Sequence, residues 1–509
     1  MSLLAQTTPV NEGLGPLAFP EVAYSDIGPI IILTVGAMAL LTIASLVRSK
    51  PGKGFYALFT VSTAAAALVS SAWLWHGLDE VGSEPRFAFA NMIAVDGFAV
   101  FFFVVISIAI VLAALLADGY LRREQLDGPE FYVLALLSGA GGMLMASAND
   151  LIVIFLGLET LTIALFVLAG FHRRRAESGE AAMKYFILAA FSSAFLLYGI
   201  ALVYGSTGTT NLAGIAQWLA TNVAVSNGIL LAGLAFLLVG FGFKVAAVPF
   251  HTWTPDVYQG SPTPVTAFMA GASKAAGFAA LLRVFFSTFS VLRPDWKPLI
   301  WGLAVASLLV GSILAVVQTD VKRMLAYSSI SHAGYILVGL QAANDRGLAG
   351  SLFYLLAYTF LVMGSFAVAT LVGRRGDAQH DLDHYKGLAR RRPAIALGFT
   401  VLLMAQAGVP FTSGFLAKFY VISAAVDSRS YAIALIAMLA AVVAAFFYLR
   451  IIITMYSAVD GEDETATPAR LPVPFGAGLV VAAAVAFTLL AGILPQPFFD
   501  FAKDATLLF

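Results

Sequence analysis

Inside the apolar stretches of this sequence stand one acid, four lysines and one histidine: Glu159, Lys184, Lys244, Lys274, His332 and Lys418. An ionisable group at the centre of a bilayer costs roughly 2.5–3.5 kcal/mol on insertion scales, so each is a functional residue by default. The chemistry these types offer is proton transfer. A buried lysine loses hydration and with it affinity for its proton, and a nearby carboxylate restores that affinity. Each pKa unit is about 1.4 kcal/mol. A lysine whose partner can move away can therefore take a proton from one side and release it to the other, with serine, threonine, tyrosine and water as relays. Lys244 lies in GFGFKVAAVPFHTWTPDVYQG, five residues before Pro249, with His251 and Asp256 following. We expect Lys244 to hold a proton and Pro249 to let water reach it.

Blander readings compete at several positions. Lys184 lies near a span end, where a lysine can snorkel to the headgroups. Lys274, in AFMAGASKAAGFAALL, is central and flanked by small residues, so snorkelling is hard. Glu159 also fits a structural ion pair with a lysine, and His332 a satisfied core histidine. Arg283 and Arg450 read as structural. Asp320, Lys322 and Arg323 read as a cluster at the membrane interface. His380 and His384, in HDLDH, have metal-like i,i+4 spacing, but their charged loop argues against a metal. The glycines of SGAGGM fit close helix packing. No nucleophile triad or nucleotide loop stands out.

These residues must be positioned by helices. The chain has 509 residues, 60% hydrophobic and 11% charged, with a mean hydropathy of +0.89. A soluble domain is nearer one quarter charged. The sequence predicts an all-α integral membrane protein. A spanning helix needs about 20 mostly apolar residues. Fourteen candidates, numbered here as spans 1 to 14, lie near 27–47, 55–75, 94–117, 130–147, 151–171, 182–204, 228–249, 262–284, 299–318, 322–341, 348–373, 394–424, 430–456 and 474–495. Strands fit nowhere, because the apolar runs are long and do not alternate. A short interfacial helix is expected at NLAGIAQWLA, in the loop 205–227.

Net charge is zero, so nucleic acid is not an expected partner, and the absence of cysteine excludes disulfides and thiolate-held iron–sulfur clusters within the chain. No Lys or Arg precedes Arg48, so the basic n-region of a signal peptide is not expected. The loops on one side carry seventeen Lys and Arg, among them Arg48, Lys50, Arg173, Lys322, Arg374 and Arg470, against six on the other. The richer side should be cytoplasmic, with both termini on the opposite side.

Two spans share an interruption. Span 7 ends in Val248-Pro249-Phe250, and span 12 contains Val409-Pro410-Phe411. Each pairs a helix-breaking proline with a lysine, Lys244 or Lys418. The freed carbonyls must be satisfied by protein or water. Interrupted helices five spans apart run in opposite directions, which points to inverted repeats about a site near the midplane. The expected divisions are 1–128 for spans 1–3, 129–290 for the first repeat (spans 4–8), 291–460 for the second (spans 9–13) and 461–509 for the last span.

Three stretches carry a resemblance. GFKVAAVPFHTWTPDVYQGSPTPVTAFMA, MKYFILAAFSSAFLLYGIALVYGSTGTTNL and GVPFTSGFLAKFYV resemble the antiporter-like membrane subunits of respiratory complex I, the proton-pumping NADH–quinone oxidoreductase, over roughly residues 90–460. The resemblance implies fourteen helices in two inverted five-helix bundles, with helices 7 and 12 broken. It implies a place in the membrane arm between small quinone-end subunits and another antiporter-like subunit. It implies no cofactor in this chain, with FMN, iron–sulfur clusters and quinone on other subunits, and proton transfer driven by quinone reduction at a distance. By motif, Glu159 and Lys244 match the family's pair and Lys274 its central proton carrier. Lys418 matches the residue feeding the outer exit or the neighbouring subunit, and Lys184 and His251 match further polar positions. His332 joins them as a proton-transfer candidate. A bacterial inner membrane is the implied location. The chain ends about fourteen residues after span 14, so the long lateral helix of the distal subunit is not expected. Arg450 and HDLDH match no role in the family pattern, and the acidic DGEDE at 460–464 lies on the side otherwise rich in Arg. A multi-subunit Na⁺/H⁺ antiporter shares this fold and is the alternative, disfavoured by WTPDVYQGSPTPV. A ferredoxin- or F420-linked relative would look the same in this chain.

Overall fold

A computed structural model describes residues 23–47, 52–79, 86–222, 227–458, 473–505 and 507. Arg48, Lys50, Arg470 and the DGEDE loop lie outside the described residues. Every expected span coincides with helix. Among the described residues twelve helices are long and apolar enough to cross a membrane. The two expected spans outside that set are the polar helix Val321–Ala342 (span 10) and span 12, which is split into Pro393–Ala407 and Ser413–Asp427, fifteen residues each. Leu212–Thr221 forms the expected short helix, capped by Asn211.

One expectation fails. Arg86–Ala88 (β1) and Ile93–Val95 (β2) pair antiparallel, Arg86 opposite Val95. They sit in the loop before span 3, where nothing demands helix. Phe89, Ala90 and Asn91 turn the chain at positive φ, and Asn149 and Asn211 donate side-chain hydrogen bonds to the Asn91 carbonyl. Span 3 therefore starts at Gly97, with Asp96 as its N-cap, rather than at residue 94.

Helix starts follow capping chemistry, in which a side-chain oxygen takes up an orphan N–H of the first turn. Asp150 accepts from Ile152 N at the head of span 5, and Asp320 from Arg323 N at the head of span 10. Spans 8, 10 and 11 form the centre. Span 8 runs unbroken from Thr263 to Thr288 and is buried along its whole length. Two wide, π-helical turns interrupt its regular winding, Met269–Ser273 and Arg283–Thr288, and Lys274 directly follows the first. Such turns re-aim side chains within a helix and recur at functional sites.

Small residues set the crossings. A Cβ on Gly141, from SGAGGM, would lie 2.6 Å from Leu161 N on span 5. One on Gly311 of span 9 would lie 2.5 Å from Ser331 N on span 10. Both are backbone contacts that only glycine permits, so span 10 is pinned against span 9 beside Ser329 and His332.

The breaks are more extensive than a proline alone requires. Span 7 stops at Val245, four residues before Pro249. Ala246 adopts a left-handed conformation there, and its N–H and that of Ala247 close on the last carbonyls. The residue before proline is itself pushed out of the helical region, which spreads the break upstream. Helix resumes over Trp253–Gly260, in a stretch expected to be loop. Span 12 stops at Ala407, passes Gly408 at φ 100°, and restarts with Thr412 as the cap of Ser413–Asp427.

Candidate functional site

Lys274 is 2% exposed. Its ammonium donates to the Ser329 carbonyl at 2.7 Å and to the Ser329 hydroxyl, and stands 5.7 Å from the centre of the Tyr358 ring. Among the described residues no carboxylate pairs with it. Lys244, in the last turn before the span 7 break, is equally buried. It donates to Thr162 Oγ1 at 2.8 Å and to the Tyr185 hydroxyl at 3.3 Å. The Phe243 carbonyl, which takes the Ala246 N–H at the break, also accepts from Trp253 Nε1 at 3.0 Å.

Lys418 lies at the other break. It donates to the Gln406 carbonyl at 2.7 Å and the Ala407 carbonyl at 3.0 Å. These are the orphan acceptors at the negative end of the first half-helix, and a cation there is doubly favoured, by hydrogen bonding and by the helix dipole. Its ammonium also faces the Tyr335 ring, 4.9 Å from the centroid.

His332 lies between Lys274 and Lys418. Tyr354 OH sits 2.6 Å from its Nδ1 and Tyr448 OH 3.1 Å from its Nε2. Neutral imidazole has one donor and one acceptor nitrogen, so one tyrosine accepts while the other donates. Tyr448 in turn pairs with the Ser328 hydroxyl. Tyr358 packs on the His332 ring at 4.9 Å and Tyr335 stacks on Tyr354. Aromatic groups thus fill the interval from Lys274 to Lys418. His332 is a satisfied histidine, as the bland reading had it, and its partners are hydroxyls that can pass a proton.

Glu159 is not in contact with Lys244. Its carboxylate accepts from the Ser193 hydroxyl at 2.5 Å and is only half-buried. Ser193 and Lys244 both line a small void of about 10 Å³, together with Thr162 and Ser192, which is near the room one water molecule needs. The expected pair is therefore spatially close but open.

Lys184 stands apart from the buried lysines. It bonds Asp256 and Glu180, both at 2.7 Å, and its side chain is 42% exposed. Asp256 also takes Arg323 at 2.7 Å. These groups line a polar surface cavity of about 460 Å³. Burial pushes the Asp256 carboxyl up, but the bonds from Lys184 and Arg323 outweigh it and hold it below the usual carboxylate range. His251 lies half-buried in the span 7 break, with its Nδ1 enclosed and without a partner.

Two charged constellations escaped the sequence reading. Lys322, expected at the interface, is fully buried and donates to the Ser261 carbonyl at 2.7 Å. It lies 3.6 Å from Asp377, a fully buried acid in the loop after span 11. Asp377 also receives Arg175 at 3.3 Å, His380 at 2.9 Å, and the backbone and hydroxyl of Thr263. Burial raises the Asp377 carboxyl, but Lys322, His380 and Arg175 together hold it well below the ordinary range. His380 is thus occupied by an acid, and no metal-holding group of three or more His, Asp or Glu occurs among the described residues. The second is Arg283, which forms a fully buried two-pronged pair with Asp96, 2.8 Å on each arm. Arg450 donates to the Val316 and Gln318 carbonyls at 3.2 Å, closing the end of span 9. The sequence singled out both arginines but gave no sign of Asp96, the partner of Arg283.

Comparison with known proteins gives one consistent answer. The family described as NADH:quinone oxidoreductase/Mrp antiporter, TM, matches residues 148–444. NADH-quinone oxidoreductase subunit N of Trichlorobacter lovleyi is 44% identical over 487 residues, covering 96% of this chain and 98% of that one. Subunit N 1 of Herpetosiphon aurantiacus is 41% identical, over 96% and 98%. A chain of respiratory complex I from Thermus thermophilus superposes with a TM-score of 0.78 at 33% identity, over 94% of this chain and all of that one. A chain of the Mrp complex from Dietzia, 21% identical with a TM-score of 0.80 over 94% and 96%, shares the fold. The chain belongs to the NADH:quinone oxidoreductase/Mrp antiporter family of membrane proteins, among the relatives named NADH-quinone oxidoreductase subunit N.

Proposed function

We propose that this chain is a proton-translocating membrane-arm subunit of an NADH–quinone oxidoreductase. The observation that carries the reading is the buried set Lys244, Lys274, His332 and Lys418, whose lysines, among the described residues, hydrogen-bond to hydroxyls and carbonyls and to no carboxylate. Neutral partners leave the protonation state of each lysine to the charges around it, so a charge arriving at one end can propagate along the line. Glu159, linked through Ser193 to the water-sized void that Lys244 lines, is the switch at the first end. Lys274 is the central carrier. Lys418 hands the proton onward from the second break. His251 extends the line at the first break, and Lys184 with Asp256 supplies its polar mouth.

In this reading the chain makes fourteen crossings, with spans 4–8 (129–290) and 9–13 (291–460) as inverted repeats flanked by 1–128 and 461–509. The driving reaction, with FMN, iron–sulfur clusters and quinone, belongs to other subunits. The neighbours in the membrane arm are small quinone-end subunits on one side and another antiporter-like subunit on the other, in a bacterial inner membrane with both termini outside.

The test is a mild-detergent pull-down of the tagged chain from its own membranes, assayed for flavin and for NADH oxidation by a quinone. Both should come down with it. Recovery of small membrane subunits alone, with Na⁺-dependent proton flux, would instead make it an antiporter subunit.

A further inference from the structure

A second cavity, of about 440 Å³, opens at the end of the bundle that carries the last helix, Gln496–Lys503. Its walls come from the end of span 8, the head of span 9, the head of span 11 and the residues after Gln496–Lys503. One wall is apolar, with Phe286, Leu348, Ala502 and Leu507. The other carries Ser287, Ser290 and the half-buried Arg293, with Lys503 and Asp345 exposed at the rim.

Three charges here are unspent. Among the described residues neither Arg293, Lys503 nor Asp345 forms an ion pair. Arg293 stacks on Phe286, 5.4 Å from the ring, and its Nε is enclosed without a hydrogen-bond partner. Close by, Arg346, next to Asp345, is matched by Asp427 at 2.7 Å. Two cations and one acid around an amphiphilic cavity call for a ligand with an anionic centre, a cationic centre beside it and an apolar body. The cavity lies where spans 9 and 11 begin, the depth at which headgroups meet hydrocarbon.

We propose that this cavity binds a phospholipid whose headgroup joins a phosphodiester to a primary ammonium, as in phosphatidylethanolamine. Arg293 and Lys503 take the phosphate. A guanidinium suits it through its forked donors. Asp345 takes the ammonium, and the glycerol and first methylenes lie on Phe286, Leu348 and Leu507. The site is independent of the proton line, so its failure would leave that reading untouched.

The test uses the intact complex containing this chain, delipidated and returned to nanodiscs of phosphatidylcholine with added phosphatidylethanolamine or phosphatidylglycerol. Retained lipid is counted by native mass spectrometry, and Lys503 is footprinted with an amine-reactive reagent. Phosphatidylethanolamine should be retained and should shield Lys503. R293Q and K503Q should each lower retention about fivefold, the scale of one cation near a lipid surface. D345N should abolish the preference for phosphatidylethanolamine over phosphatidylglycerol. Undiminished retention in R293Q/K503Q would overturn the site, and an unchanged preference in D345N would overturn the amine recognition. If R293Q fails to assemble, the footprint on the unaltered chain decides. Shielding of Lys503 by inorganic phosphate alone, and not by lipid, would make this a free-anion site and refute a lipid one.

Discussion

Asp377→Asn isolates one buried charge among three cations. The substitution keeps an oxygen to accept from Thr263 but removes the charge facing Lys322 at 3.6 Å, Arg175 at 3.3 Å and His380 at 2.9 Å. Lys322 is fully buried and is left with the Ser261 carbonyl. Breaking a buried pair from one side costs about 3–5 kcal/mol, because the remaining charge is uncompensated. The lower end applies, since Thr263 keeps its partner. About 3 kcal/mol raises the population with the loop lifted by about a hundredfold. Tyr385, fully buried in the docked loop, reports that opening. Chymotrypsin should cut after Tyr385 about a hundredfold faster in D377N, because cleavage tracks the open population when reclosing is fast. Asp377→Asn with Lys322→Met removes the fully buried cation along with the acid, keeps an acceptor for Thr263, and should recover part of the protection. A change below about threefold in D377N would refute the claim that this acid holds the loop down. The pH dependence has a definite sign. The Asp377 carboxyl is depressed in the folded state, so its contribution is complete above the ordinary carboxylate value, about 3.9, and fades as pH falls below it. Hydrogen exchange across 376–387 should therefore stay slow from neutral pH to about 5 and accelerate only in stronger acid.

Lys274→Ala should lower coupled turnover and proton pumping by about a hundredfold or more while the complex still assembles, as expected when a proton carrier is removed; near-normal pumping would eliminate the central carrier. Glu159→Gln and Lys244→Arg should each slow turnover, and if both leave it unchanged the switch across the small void is wrong. Lys184→Gln breaks only partly exposed ion pairs, so it should cost less than about 1 kcal/mol of stability and leave pumping largely intact. Its loss of pumping would put Lys184 in the line with the buried lysines.

The breaks of spans 7 and 12 were legible because proline in a greasy run has few meanings, and a lysine beside each break marked the site. The extent of each break was not legible. It depended on Ala246, which carries no special residue signal for a left-handed turn, and on the resumed helix Trp253–Gly260. Lys274 stood out because nothing near it could carry its charge to water. Lys322 did not, because two residues after a capping acid it reads as loop, and only the docking of Asp377 from 55 positions downstream buries it. The tyrosines around His332 come from spans 10, 11 and 13, and no sequence spacing brings them together. Nor could any spacing show that Glu159 takes Ser193 and Lys244 takes Thr162 as hydrogen-bond partners.

The polarity of span 10 has a consequence for how the chain is made. Val321–Ala342 carries Lys322, Arg323, Ser328, Ser329, Ser331 and His332, and it fails the hydropathy test that twelve other helices pass. On leaving the ribosome such a segment partitions poorly into lipid by itself. It has to be received by the greasy helix before it, through the Gly311 crossing, and covered by the one after it. Span 10 is thus poorly able to enter the membrane unaided, and synthesis halted between spans 10 and 11 should leave a product that quality-control proteases remove first.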